Sequence, residues 1–467
     1  MFALILSLLL TAITGARGAA LQVAFECAAE SALLSAFGEY NRELLDRYDV
    51  FFIDLSYLSN SPDPKNLEAR LNEYFDDNFH PEKDTSFLFC SDPMDVKDTN
   101  VSLCEYELAT DRFGKPFCDE VVEYMSNLTG LKDLEEMSNL ITVWDSYDLD
   151  TERFSDERDK VLSQISPTEK DNWEQTVIKN KIRGLVYTDE MVFLMMGKDY
   201  LDLSKKQIDT AETLMFRSKE HGVNNFTEFD FNPTENILFC EYVMSKMGNY
   251  RNQKEESRLK CETEYIIFGS NCDLMNMNFS AKALWAVRTL ANDITINASQ
   301  DKIEKVKVVS EALSALLEIP EPVITQIIVF LWAELEGLTD VRDLIKGKRV
   351  PLIKTSDQMN LSLEGLMAYI EEEAESLAGE DENSDSGETI EGITLCYTDY
   401  MRIFLYMLPS PIKTYRTMDV IEFNLRDSGT GNEYFRFDVC ASKIKAVFTV
   451  ETGFDFRYVT EKKYSFF

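Results

Sequence analysis

Histidine is the scarcest chemistry-bearing side chain here: His80 and His221 are the only two in 467 residues. A zinc, copper or non-haem iron site built on several imidazoles cannot be assembled within one such chain. A Ser/His/Asp hydrolase would have to use one of the two, and no GxSxG elbow accompanies them. Both fall at expected helix C-termini, where a cation is favoured by the carbonyl end of the helix dipole, so capping or surface roles are assigned to them. No GxxxxGKS/T or GxGxxG phosphate loop occurs, which removes support for nucleotide-dependent catalysis.

Carboxylates are abundant instead, 83 Asp and Glu against 47 Lys and Arg, for a formal charge of −36. Such a surface repels phosphodiester backbones and anionic headgroups, so nucleic acid and electrostatic membrane docking are disfavoured as partners. Two carboxylates in a cleft would suffice for glycoside hydrolysis, but no pair is singled out by spacing, and nearly all are expected to be solvated. Two stretches approach calcium-loop spacing. Asp381, Asn383 and Asp385 alternate as in a loop that turns oxygens onto one hard cation, but Ser386 stands where glycine is needed and Gly392 replaces the bidentate glutamate. Asp148, Asp150 and Glu152 have Arg153 at the glycine position and Asp159 at the twelfth. Calcium at the first is the single cofactor the sequence suggests.

Nine cysteines, Cys27, Cys90, Cys104, Cys118, Cys240, Cys261, Cys272, Cys396 and Cys440, include no CxxC pair, which argues against a zinc ribbon or thioredoxin-type site. In a secreted chain they read as cross-links between ordinary elements, with one left over and Cys396–Cys440 the natural C-terminal pair. Six Asn-x-Ser/Thr sequons, at Asn100, Asn127, Asn225, Asn278, Asn297 and Asn360, are glycosylation candidates in that setting. The setting itself is inferred from the first twenty residues. An apolar run through Ile13 is followed by the small residues Gly15, Ala16, Gly18, Ala19 and Ala20, as in a signal peptide cut after Gly18 or Ala20. The alternatives are an amphipathic or buried first helix and a retained membrane anchor, against the second of which stands a run shorter than the roughly 20 apolar residues that cross a bilayer.

The elements that must position these groups are mainly helical up to about Leu377. Asp63 and Pro64 start a helix whose Leu67, Leu71, Tyr74 and Phe75 share a stripe. Ser166, Pro167 and Glu169 form a capping box ahead of Trp173, and Ser204 opens a helix running towards Gly222. Ser280 and Asp301 open two more, the second closed by Pro320 and Pro322. Val323 to Trp332 is apolar nearly all round and reads as a buried helix, followed by Thr339–Lys346 and Ser362–Leu377. Val50–Leu58 and Phe226–Phe231 are short strand candidates. The period then switches to two, with strands expected at Val420–Leu425, Glu433–Val439, Ile444–Val450 and Phe454–Val459. Cys90, Cys240 and Cys396 each follow a mainly apolar triplet at intervals near 150 residues, an echo compatible with duplication.

The sequence therefore predicts an α+β protein, mainly α-helical over its N-terminal two-thirds with a C-terminal antiparallel β region. Its parts are a signal peptide at 1–20, a cysteine-containing helical domain at 21–150, a helical domain at 151–378, an acidic linker at 379–392 and the β region at 393–467. The expected role is that of a secreted, disulfide-bonded, glycosylated acidic protein that binds an extracellular protein or small ligand without a membrane span. The alternatives are a secreted hydrolase with paired carboxylates and a weak calcium binder of the secretory pathway.

Overall fold

The computed structural model describes residues 2–57, 61–79, 96–147, 149–168, 170–184, 195–197, 203, 206–222, 230–371, 392–453 and 456–466. It is α+β, with helices filling the first two-thirds and long antiparallel strands closing the chain.

A long helix, α1 (Phe2–Phe37), opens the chain, followed by α2 (Arg42–Tyr48), β1 (Ile53–Asp54) and α3 (Pro64–Phe79). β2 (Val96–Leu108) pairs antiparallel with β5 (Cys440–Thr452), whose other side takes β1 at Ala441 and Cys440 and then β6 (Arg457–Ser465) from Lys443 to Glu451. The two ends of the chain thus build one sheet. α1 and α3 lie on its face, and Phe25, Ala29, Ala32, Phe75, Ile444 and Phe448 share one core. Alanines at the α1 contact let the two helices approach closely, and the phenyl rings of Phe25 and Phe75 meet edge to face at 5.9 Å.

The helical body follows: α4 (Asp111–Leu128), α5 (Leu131–Ser146), α6 (Thr151–Ser163), α7 (Trp173–Gly184), α8 (Pro233–Lys246), α9 (Glu262–Phe268), α10 (Asp273–Ala298), α11 (Gln300–Leu317), α12 (Glu321–Ile345), α13 (Leu363–Glu371), α14 (Tyr397–Met407) and α15 (Ser410–Asp427). α10 and α12 pack along their lengths at its centre. A two-residue ribbon, β3 (Val350–Pro351) with β4 (Thr394–Leu395), ties the segment after α12 to the start of α14, and Leu352 and Leu395 share one core.

Several expected elements differ. Val420–Leu425 lies inside α15, because Asp419, Glu422 and Asn424 are buried and bonded on a helix enclosed on all sides, which hides its period. Glu433–Val439 ends in a single 3-10 turn at Phe437–Val439. The segment from Ser204 towards Gly222 contains one 3-10 turn, Thr210–Glu212, in place of a helix. Thr339–Lys346 continues α12, and Ser280 lies inside α10. β2 was not anticipated: along its outer edge strongly polar residues break the alternation.

Candidate functional site

Two halves of α1 live in different surroundings. From Leu21 to Phe37 the helix buries Leu21, Phe25, Ala28, Ala29, Ala32, Leu33, Ala36 and Phe37. From Phe2 to Ala16 it carries no charge and stands away from the body, with Phe2, Leu4 and Leu8 exposed at 81, 76 and 73 %. The hydroxyls of Thr11 and Thr14 donate to the carbonyls of Ser7 and Leu10, 2.8 Å away and one turn back, so these polar side chains are satisfied within the helix itself. The boundary falls at Arg17 and Gly18. There the hydroxyl of Tyr458, on β6, donates to the carbonyl of Gly18 at 3.1 Å, and the ring of Phe456 lies beside it. A Cβ at position 18 would lie 3.4 Å from that hydroxyl, in ordinary van der Waals contact, so the helix already sits against both rings here.

An open cleft of about 820 Å³ lies where α2 meets the sheet and is lined by Glu39, Glu43, Asp54, Tyr57, Arg70 and Asn432 among others. Burial raises the Asp54 carboxyl above its ordinary range. Glu43 moves the other way: burial alone would raise it, but Thr430, Ser428, Asn432 and Arg47 all hydrogen-bond its carboxylate and the net shift is down. Those bonds hold the 428–432 turn against α2. Glu43 is thus committed to structure.

The cysteines correct the sequence reading most sharply. Cys27, Cys104, Cys118, Cys240, Cys261, Cys272, Cys396 and Cys440 are all free thiols, and Cys90 lies outside the described residues. Cys440 is buried at the start of β5, with burial pushing its thiol well above the ordinary range, while Cys396 caps α14 through Asp399 and stands nowhere as its disulfide partner. Cys240 and its triplet sit within a helix whereas Cys396 follows a short strand at a helix start, so those two members of the echo are not equivalent, and Cys90 lies outside the described residues. The secreted, disulfide-bonded, glycosylated acidic protein with an extracellular binding role is therefore withdrawn. Of its sequons, Asn278 is buried in α10, Asn127 and Asn297 donate to Glu123 and Asp293 within their own helices, Asn100 and Asn360 lie on β2 and in a loop, and Asn225 is outside the described residues.

Asp381, Asn383 and Asp385 also lie outside the described residues, as does His80. Asp150 is the N-cap of α6, accepting from the Arg153 amide at 2.9 Å, and no group of three or more metal-ligating side chains occurs among the described residues. His221 stands in a loop, its Nδ1 3.8 Å from Asp111.

What sequence reasoning missed is the number of carboxylates inside the body. Arg288 on α10 donates to Asp340 on α12 at 2.9 and 3.0 Å and to the carbonyls of Pro351 and Leu352, and Lys354 bridges Asp340 and Glu336. Burial would raise Asp340, but Arg288 and Lys354 hold it below its ordinary value. A second cluster joins Arg217 to Glu422 and Asp438. For Glu336 and Asp340 the signal was available: they fall among the apolar residues of α12, where solvated acids do not belong.

The molecule so described is a helical body fused to a four-stranded sheet, with one helix that is half core and half uncovered apolar projection. Residues 168–452 match the family of unknown function DUF5702, and the chain belongs to that family. The matched stretch runs from just before α7 to the end of β5 and leaves α1 outside it. Neither a curated protein nor a solved structure matches the chain.

Proposed function

We propose that this protein is held to a lipid bilayer by the Phe2–Ala16 half of α1 and carries its folded body at the membrane surface. The observation that carries this reading is the uncharged projection itself, whose large apolar side chains are exposed by 47 to 81 % while the later half of the same helix buries one face in the core. An exposed apolar surface of that extent marks an interaction site. Lipid suits this one because beyond the first turn its backbone is satisfied within the helix, and so are the hydroxyls of Thr11 and Thr14. Removal of the segment after Gly18 would cut a continuous helix at a residue whose carbonyl is engaged by Tyr458.

Expression of the full chain, followed by carbonate extraction and flotation, tests the reading. The full chain is expected in the membrane layer and a variant lacking residues 2–16 in the soluble fraction, with its near-ultraviolet circular dichroism unchanged. Recovery of the full-length product in the soluble fraction, or a mature N-terminus at Ala19 or Leu21, would overturn it.

A further inference from the structure

The projecting half of α1 is too short to cross a bilayer unaided, and the structure places a collar where the shortfall falls. At ~1.5 Å per residue, Phe2–Ala16 covers roughly 22 Å, against a hydrocarbon core of about 30 Å. The remaining depth brings the level of Gly18 to Leu21 down to the edge of the hydrocarbon. Phe456 and Tyr458 stand at that level, packed on Gly18, with their rings 6.3 Å apart and the Tyr458 ring tilted against that of Phe25 at 6.2 Å. Pairing of Val96 with Thr452 and of Arg457 with Glu451 brings the start of β2 to the same end of the sheet. Arg17, Lys97 and Arg457 are exposed around this end of the molecule, in a chain whose formal charge is −36. Two acids share the rim: Asp98, and Glu451, which accepts from Arg457 at 3.3 Å.

We infer that this collar, Phe456 and Tyr458 flanked by Arg17, Lys97 and Arg457, beds into the headgroup layer of an anionic phospholipid bilayer and fixes the body against the membrane. The inference rests on the anchoring proposed above and adds a second contact to it. Aromatic side chains with one polar end favour the membrane–water interface, and arginine extends its charged head towards phosphate while its stem stays in the apolar layer. Basic residues close to an anionic leaflet add attraction that falls off within a Debye length. Without the collar, α1 alone would leave the body free to tilt. With it, the sheet's long axis is set relative to the membrane.

The test uses the full chain reconstituted into phosphatidylcholine vesicles containing a quarter phosphatidylglycerol. Trp144, Trp285 and Trp332 are buried and Trp173 is 81 % exposed, so Trp173→Phe removes the one exposed native indole and provides the background. In that background Phe456→Trp, or Arg457→Trp at a site 67 % exposed on its side chain, installs a reporter at the collar. Headgroup-proximal doxyl lipid is expected to quench the new indole about threefold more strongly than aqueous iodide does, the reverse of Trp173 in the parent chain. Flotation with the vesicles combined with iodide quenching equal to that of Trp173 would overturn the collar while leaving the anchor standing. Failure to float would overturn both.

Discussion

The sheet unit and the helical body solve the same burial problem by different chemistry. Under α1 and α3 the core is aliphatic and aromatic, and charges such as Lys462 with Glu26 and Glu30 stay at the margin. In the body, Arg288, Glu336, Asp340 and Lys354 are at most 5 % exposed and lie between α10 and α12. An apolar core tolerates loss of one member in proportion to the cavity left, whereas an ionic cluster does not, because each charge left behind is desolvated and unpaired. The difference teaches that a chain with so many carboxylates need not carry them all outside.

The largest separation between the two regions should come from Arg288→Met. It leaves Asp340 with Lys354 and Asn292 only, and orphans the carbonyls of Pro351 and Leu352. A loss of about 3–5 kcal/mol is expected in urea unfolding, in line with breaking a buried pair. Loss below about 1 kcal/mol would show that the cluster is not energetically coupled as the distances imply. Phe25→Ala probes the other region at the ring that touches both Phe75 and Tyr458. Its expected cost, about 3 kcal/mol, is a cavity term, and part of it should be recovered by Phe25→Leu. A cost that Phe25→Leu does not reduce would mean that ring geometry, and not filled volume, is what matters there.

How much of this contrast was legible follows from the same physics. Helices with one buried face, such as α3 with Leu67, Leu71 and Phe75, announce themselves by period. α15 does not. Lys413, Thr414, Thr417, Asp419, Glu422 and Asn424 are all buried beside its apolar residues, so its local pattern imitates a strand. The half-exposed character of α1 was likewise invisible, since an apolar run reads the same whether covered by protein or by nothing. The cysteines misled for a different reason. Their spacing carries no information on pairing, and burial of a free thiol uses the same residue as a cross-link.

Protonation offers a smaller lever that acts on the body. Burial raises Glu264 to about 7 from an ordinary 4.5, and Tyr397 and the Tyr250 amide, which bond its carboxylate, offset this only in part. The folded state therefore holds a proton that the unfolded chain releases first. The resulting stability is complete below pH 4.5 and is lost as the pH rises through about 7. Glu334 and Asp419, raised by burial to about 7 as well, act in the same direction. Glu264→Gln should leave the melting temperature unchanged at the acid end and raise it by about 2–4 °C at the alkaline end. An equal shift at both ends would mean that the carboxyl keeps its ordinary titration.

The smallest expected effect lies at the sheet's margin, where the apolar region must protect its backbone as well as its core. β2 is an outer strand, and α3 covers part of its edge with side chains that imitate a neighbouring strand. Asn72 accepts from the Val101 amide at 2.7 Å and donates to the Val101 carbonyl at 2.9 Å, while Glu68 accepts from the Leu103 amide at 2.9 Å. An exposed edge is a template for pairing with another chain, so these bonds act against association as well as for stability. Asn72→Leu removes both bonds to Val101 at nearly constant volume, and about 1–2 kcal/mol should be lost. Its more telling readout is concentration dependence. With Val101 uncapped, light scattering of the variant lacking residues 2–16 should rise with protein concentration where the same truncation with Asn72 intact stays flat. If scattering stays flat and stability still falls, the two bonds serve α3 alone, and the edge of β2 is guarded by the acidic residues Glu105 and Glu107 further along the strand.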